Sequence, residues 1–166
     1  MPDYWLDADV YIESRKGPYS FDIAPGFWEF LHEMSATGVI GSSLTVYDEI
    51  LKGNDELVDW VKAEQSQLAI FEEPDDEVQL AYRGIADFVE ANFEANRAAD
   101  FLDGADAWLV AHGRAKGGTV VTFERAIVSI EAKKVKIPNI CSEFNVEVIN
   151  TYQMLTRLGV RFRHSP

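Results

Sequence analysis

At 166 residues, with 47% hydrophobic and 26% charged types, the chain has the composition of a globular protein and the length of one domain. Its 28 Asp and Glu outnumber 15 Lys and Arg, a formal net charge of −13 that argues against a generic nucleic-acid coat, because phosphate binding runs on cations. A single cysteine, Cys141, excludes an internal disulfide framework, and no stretch approaches the ~18 apolar residues of a membrane span.

Tyr4-Trp5-Leu6 is a short apolar run ending on Asp7, which predicts a buried strand that delivers a carboxylate at its C-terminal end. Gly17, Pro18, Pro25 and Gly26 mark residues 15–26 as loop. Phe27, Phe30, Leu31 and Met34 recur at helical spacing, so a helix is expected to stop near Gly38. Val39-Ile40 reads as a second strand before Gly41-Ser42-Ser43, and Thr45 as the cap of a helix through Val46, Ile50 and Leu51. A helix from Asp55 carries Leu57, Trp60 and Val61, and Leu68-Ala69-Ile70-Phe71 is either a short strand or that helix's end. Pro74 breaks the acidic run 72–77. Residues 78–93 and 103–116 read as long helices, and 119–122 as a third buried strand after Gly117-Gly118. Pro138 suits the first turn of a short helix. Val146, Val148 and Ile149 form a last strand before a terminal helix over 152–158. Short strands alternating with helices predict an α/β sandwich with a mainly parallel sheet, a single domain over 1–166.

In such a fold, sites form beyond the carboxyl ends of the strands. Asp7 follows the first strand and Asp9 lies two residues on; Glu49 is in the helix after the second strand. Asp103 and Asp106 open the helix before the third strand, and Glu124 lies two residues past Thr122 at that strand's end. Parallel strands would bring Asp7, Glu49, Asp106 and Glu124 to one edge. Carboxylates crowded together repel unless a positive charge sits among them, and a hard cation such as Mg²⁺ or Mn²⁺ favours oxygen ligands. Singly, each acid has a structural reading. An Asp after a strand often caps a turn, Asp103 with Asp106 resembles a capping box, and Glu49 and Glu124 are ordinary helix and turn acids. Their shared position is what points to chemistry.

Charge is also uneven along the chain. Residues 1–106 hold 24 acids and 6 bases, whereas 107–166 hold 4 acids and 9 bases, among them Arg114, Arg125, Lys133, Lys134 and Lys136. That imbalance permits a polyanionic substrate without requiring one. The acidic start Met1-Pro2-Asp3 lacks the basic region of a secretory signal, so a cytoplasmic protein is expected. No P-loop, G-x-G-x-x-G or G-x-S-x-G occurs. His32, His112 and His164 lack ligand spacing and read as surface or satisfied core.

Four segments together resemble the PIN-domain nucleases: Leu6-Asp7-Ala8-Asp9-Val10-Tyr11-Ile12, Thr45-Val46-Tyr47-Asp48-Glu49-Ile50, Gly104-Ala105-Asp106-Ala107-Trp108-Leu109-Val110-Ala111 and Val120-Val121-Thr122-Phe123-Glu124. The tail Lys136-Ile137-Pro138-Asn139-Ile140-Cys141 resembles a PIN-like bacterial and archaeal subfamily of unassigned function. Two positions depart from the family pattern: Asp9 stands where Asn is usual, and Glu124 where Asp is usual. The resemblance implies a three-layer α/β/α sandwich and Mg²⁺- or Mn²⁺-dependent cleavage of RNA, often by the toxin of a toxin–antitoxin pair. Its partners would be RNA, an antitoxin protein and, as an open alternative, a second copy in a homodimer; no membrane is implied. Asp7 and Asp106 would be primary metal ligands, Glu49 a direct or water-mediated ligand, and Glu124 an outer member. Thr122 would fix the turn by hydrogen bonding, with Asp9 and Asp103 in support. Arg125 would touch a phosphate, although a solvated surface charge is its simpler reading.

Two other classes compete. Asp7-Ala8-Asp9 also resembles the nucleophile and acid pair of haloacid-dehalogenase-type phosphatases, with Gly104-Ala105-Asp106 as the metal motif. Residues 98–105 contain no lysine, however, and 95–102 look helical where that family needs a strand. A catalytically inactive PIN-like binding protein is the third class, and Glu124 favours it.

Overall fold

The computed structural model describes residues 1–127 and 134–164; Lys133 lies outside them. Strand β1 (Tyr4–Leu6) is central, between β2 (Ile40–Ser43) and β4 (Thr119–Val121). Beyond these lie β3 (Phe71–Glu72) and β5 (Val148–Ile149), and every pairing is parallel. The chain therefore builds outward through β2 and β3, then resumes on the other side of β1. The switch in strand order falls at β1, where a crevice opens past the strand ends.

Side chains alternate across a strand, and that alternation divides the core in two. Trp5 and Val120 pack with α5 (Asp76–Asn92), α6 (Ala95–Asp103), α7 (Asp106–Lys116) and α8 (Ile137–Glu143). Leu6 and Val121 pack with α1 (Ala8–Lys16), α2 (Pro25–Ala36), α3 (Leu44–Ile50), α4 (Glu56–Leu68) and α9 (Thr151–Arg157). The result is the three-layer α/β/α sandwich. No helix among the described residues is long and apolar enough to cross a membrane.

Local chemistry sets the boundaries. Asp55 caps α4 and Asp75 caps α5, while Asn150 and Gln153 close a capping box on α9. Gly117 ends α7 at φ +77°, a backbone state that favours glycine. Gly113 lets α7 lie against β4, since a Cβ there would come within 3.0 Å of Val120 and 2.9 Å of Val146.

Several sequence expectations are corrected. Gly41, Ser42 and Ser43 belong to β2 itself, because Ser42 Oγ donates to the Leu6 carbonyl and satisfies a buried hydroxyl inside the sheet. Ser43, not Thr45, caps α3. The loop 15–26 is shorter than expected, with α1 running to Lys16 and α2 starting on Pro25. Asp103 does not open α7: it is the last residue of α6, and Ala105 precedes α7 without a side-chain cap.

His112 is a further correction. It is fully buried, its ring centroid 4.5 Å from that of Trp5, and neither ring nitrogen has a hydrogen-bond partner among the described residues. Burial pushes its pKa down to about 4. The unfolded chain takes up a proton near the ordinary value of ~6.5, so stability is full above that pH and is lost as pH falls toward 4. His112→Leu should remove this loss, about 3 kcal/mol at most. Urea melts of both proteins at pH 7.5 and 4.5 test it; equal pH dependence in wild type and variant would contradict it.

Candidate metal centre

Asp7 is the first residue past β1 and the N-cap of α1. Its Oδ1 accepts the Ala8 N–H at 2.7 Å and its Oδ2 accepts the Thr122 hydroxyl at 2.9 Å. Thr122 is the corresponding residue past β4, so the β1–β4 pairing itself sets the two face to face. Asp9, in the first turn of α1, reaches across as well. Its carboxylate accepts the Phe123 N–H at 3.1–3.2 Å and lies 3.1 Å from Thr122 Oγ. Thr122 Oγ also accepts the Glu124 N–H at 3.0 Å, which shapes the turn after β4.

A hydroxyl carries one proton, so Thr122 can donate to Asp7 or to Asp9 but not to both. The carboxylate pair therefore lacks a donor, and its electrostatics show the strain. Asp7 is 4% exposed, and burial, then Asp9 and Asp106, hold its pKa well above the carboxylate range. Burial also raises the pKa of Asp9, against the opposing hydrogen bonds from Phe123 and Thr122. Asp106 opens α7, and burial, with Glu124, Glu49 and Asp9 adding to it, raises its pKa to about 7.

Asp7, Asp9, Asp106, Glu124 and Thr122 thus lie together past β1 and β4. Glu49 is exposed on α3 and close enough to act on Asp106 through space. Asp103 is not brought in: it is exposed at the end of α6 and acts on Tyr82 instead. Arg125 is exposed and pairs with no described acid.

Glu124 is tied elsewhere. Its Oε2 accepts the Ile137 N–H at the start of α8 at 2.9 Å, and Lys136 Nζ lies 3.6 Å from Oε1. The extra methylene relative to Asp is what spans this gap. Glu124→Asp should free the carboxylate toward Asp106, tighten Mn²⁺ binding and raise any metal-dependent rate. It should also leave the Ile137 N–H unpaired, at a cost of about 1 kcal/mol in metal-free protein. Calorimetry with Mn²⁺ and urea melts in EDTA check both, and unchanged Mn²⁺ affinity would exclude Glu124 from the ion's ligands.

Asp106 and Glu124 line a cavity of roughly 440 Å³ whose other walls include Arg97, Asp100, Lys134 and Lys136. Lys134 and Lys136 belong to the basic tail seen in the sequence. Arg97 has no such signal, since it lies in the acidic half and reaches the cavity only through the placement of α6. No three His, Cys, Asp or Glu side chains among the described residues stand as a ready-made metal-holding group. Ala8, Thr122, Phe123 and Ile137 already engage Asp7, Asp9 and Glu124. Asp106 accepts no hydrogen bond from a described residue. The donor set is all carboxylate oxygen and short of positive charge, which fits a hard divalent cation.

Fold and site define a parallel α/β/α protein with a carboxylate cleft and a cationic rim at its topological switch point. The chain belongs to the family described as Domain of unknown function (DUF4411), whose profile matches residues 4–162. No curated protein and no solved structure matches it.

Proposed function

We propose that this chain is a Mg²⁺- or Mn²⁺-dependent endoribonuclease, PIN-like in its site and cytoplasmic, working as the toxin of a toxin–antitoxin pair. The observation that carries the nuclease reading is the pairing of an electron-rich, charge-deficient centre with Arg97, Lys134 and Lys136 in the cavity beside it. The toxin part rests on the sequence resemblance alone.

Asp7 and Asp106 would hold the ion, with Glu49 acting through water and Glu124 at the margin. When bound, the ion would polarise a phosphoryl oxygen and lower the pKa of water. Thr122 orients Asp7, and Asp9 fixes the turn through the Phe123 N–H. Asp106, whose pKa is raised to about 7 in the metal-free protein, would give up its proton to take the ion. Arg97, Lys134 and Lys136 would bind backbone phosphates as point charges or forks.

Two observations weigh against a phosphatase. Asp106 follows the helix α6 rather than a strand, and the Asp9 carboxylate is engaged by Phe123 and Thr122 instead of being free as a general acid. The tie of Glu124 to α8 favours the inactive binding protein as second reading. Labelled single-stranded RNA and p-nitrophenyl phosphate, each with Mn²⁺ or EDTA, separate the three. RNA shortened only with Mn²⁺ and no ester turnover is expected; ester turnover alone would mark a phosphatase, and RNA binding without cleavage a binding protein.

A further inference from the structure

Next to the carboxylate cleft lies a second cavity of roughly 390 Å³, lined by Tyr19, Phe123 and Tyr152 with Glu13, Ser14 and Lys16 from α1. The two sites are joined by backbone, since Phe123 sits between Thr122 and Glu124 and its N–H donates to Asp9. Tyr152 is 50% exposed at the start of α9, a helix already capped by Asn150 and Gln153, so its ring is not needed to stop fraying. It meets Phe123 edge-on, with centroids 5.6 Å apart, so the pair does not cover its own ring faces. Tyr19 is held from behind by stacking on Phe27, 4.5 Å away and nearly parallel. Ser14 is 1% exposed, and its Oγ has no partner among the described residues. Lys16 is exposed and makes no ion pair with a described acid.

One exposed and two half-buried aromatic rings and an exposed lysine, one residue from the carboxylate centre, share one complementary ligand. We propose that this cavity is a nucleobase subsite: an unpaired base of single-stranded RNA stacks on Tyr152 with Phe123 as a side wall, and Lys16 faces a neighbouring phosphate. The inference rests on the nuclease reading of the adjacent carboxylates and adds the selection of unpaired strands, because a base inside a duplex cannot enter. Stacking on an aromatic side chain tolerates any base, so the subsite selects strandedness more than sequence.

The test uses an octaribonucleotide carrying 2-aminopurine at each position in turn, with the full chain in Ca²⁺ at pH 7.5. Quenching is expected at one position in wild type and in Tyr152→Phe. Tyr152→Ala should abolish it and weaken binding roughly tenfold, with an unchanged melting temperature. An abasic residue at that position should cost wild type the same factor and cost Tyr152→Ala nothing further. Wild type that binds or cleaves RNA with no effect of Tyr152→Ala or of the abasic residue would overturn the subsite and leave the nuclease standing. Wild type that neither binds nor cleaves single-stranded RNA would overturn both.

Discussion

Asp7→Asn should lower RNA cleavage by at least about a hundredfold while raising the melting temperature of the metal-free protein. Changing even the outer partners of a metal ligand typically costs 10–100-fold, and Asp7 is proposed as a ligand itself. The stability gain follows from the hydrogen bonds. Asn keeps an oxygen for the Ala8 N–H and turns an NH₂ toward Thr122 Oγ, which can then give its one proton to Asp9. One buried charge leaves a cluster in which Asp9, Asp106 and Glu124 all press on Asp7. Full cleavage by Asp7→Asn would place the chemistry elsewhere.

Asp106→Asn should change the pH dependence of stability. The unfolded chain releases this proton near 3.8, whereas the native protein keeps it until about 7. Between those values the native state binds more protons, so stability falls as pH rises and the full cost stands above pH 7. Asp106→Asn removes that cost, for a gain on the order of 4 kcal/mol at pH 8 in EDTA and little at pH 4. Its sign is opposite to that of His112, which loses stability on acidification, so the two variants bend the curve in opposite directions. Parallel curves for wild type and Asp106→Asn would show that Asp106 carries no native-state penalty.

The sequence made the centre legible because its residues are tied to strand ends. Tyr4-Trp5-Leu6-Asp7 and Val120-Val121-Thr122 are apolar runs closed by polar residues, and parallel pairing of β1 with β4 converts those two local facts into one contact. Asp103 misled because an acid three residues before another mimics a capping box, while Gly104 in fact separates two helices. Ser43 and Thr45 are both hydroxyl residues near a helix start, and only backbone geometry distinguishes them. The partner of Glu124 lies 13 residues away at Ile137, a separation with no local pattern. Arg97 enters the cavity through packing of α6 on α5 and α7, which composition cannot reveal. The unpartnered His112 and Ser14 were invisible for the same reason: residue type announces a polar group, but only the fold decides whether it finds a partner.

The decisive measurement is calorimetric titration of Mn²⁺ into the metal-free protein at pH 7, run in two buffers of different ionisation enthalpy. A carboxylate centre that holds its proton on Asp106 must release it to take the ion, so binding should be saturable and coupled to proton release. The release should shrink in Asp106→Asn, what remains coming from Asp7. The melting temperature of wild type should rise with Mn²⁺, because a ligand of the folded state stabilises by mass action. No binding heat and no change in melting at millimolar Mn²⁺ would contradict a metal centre here, and with it the nuclease.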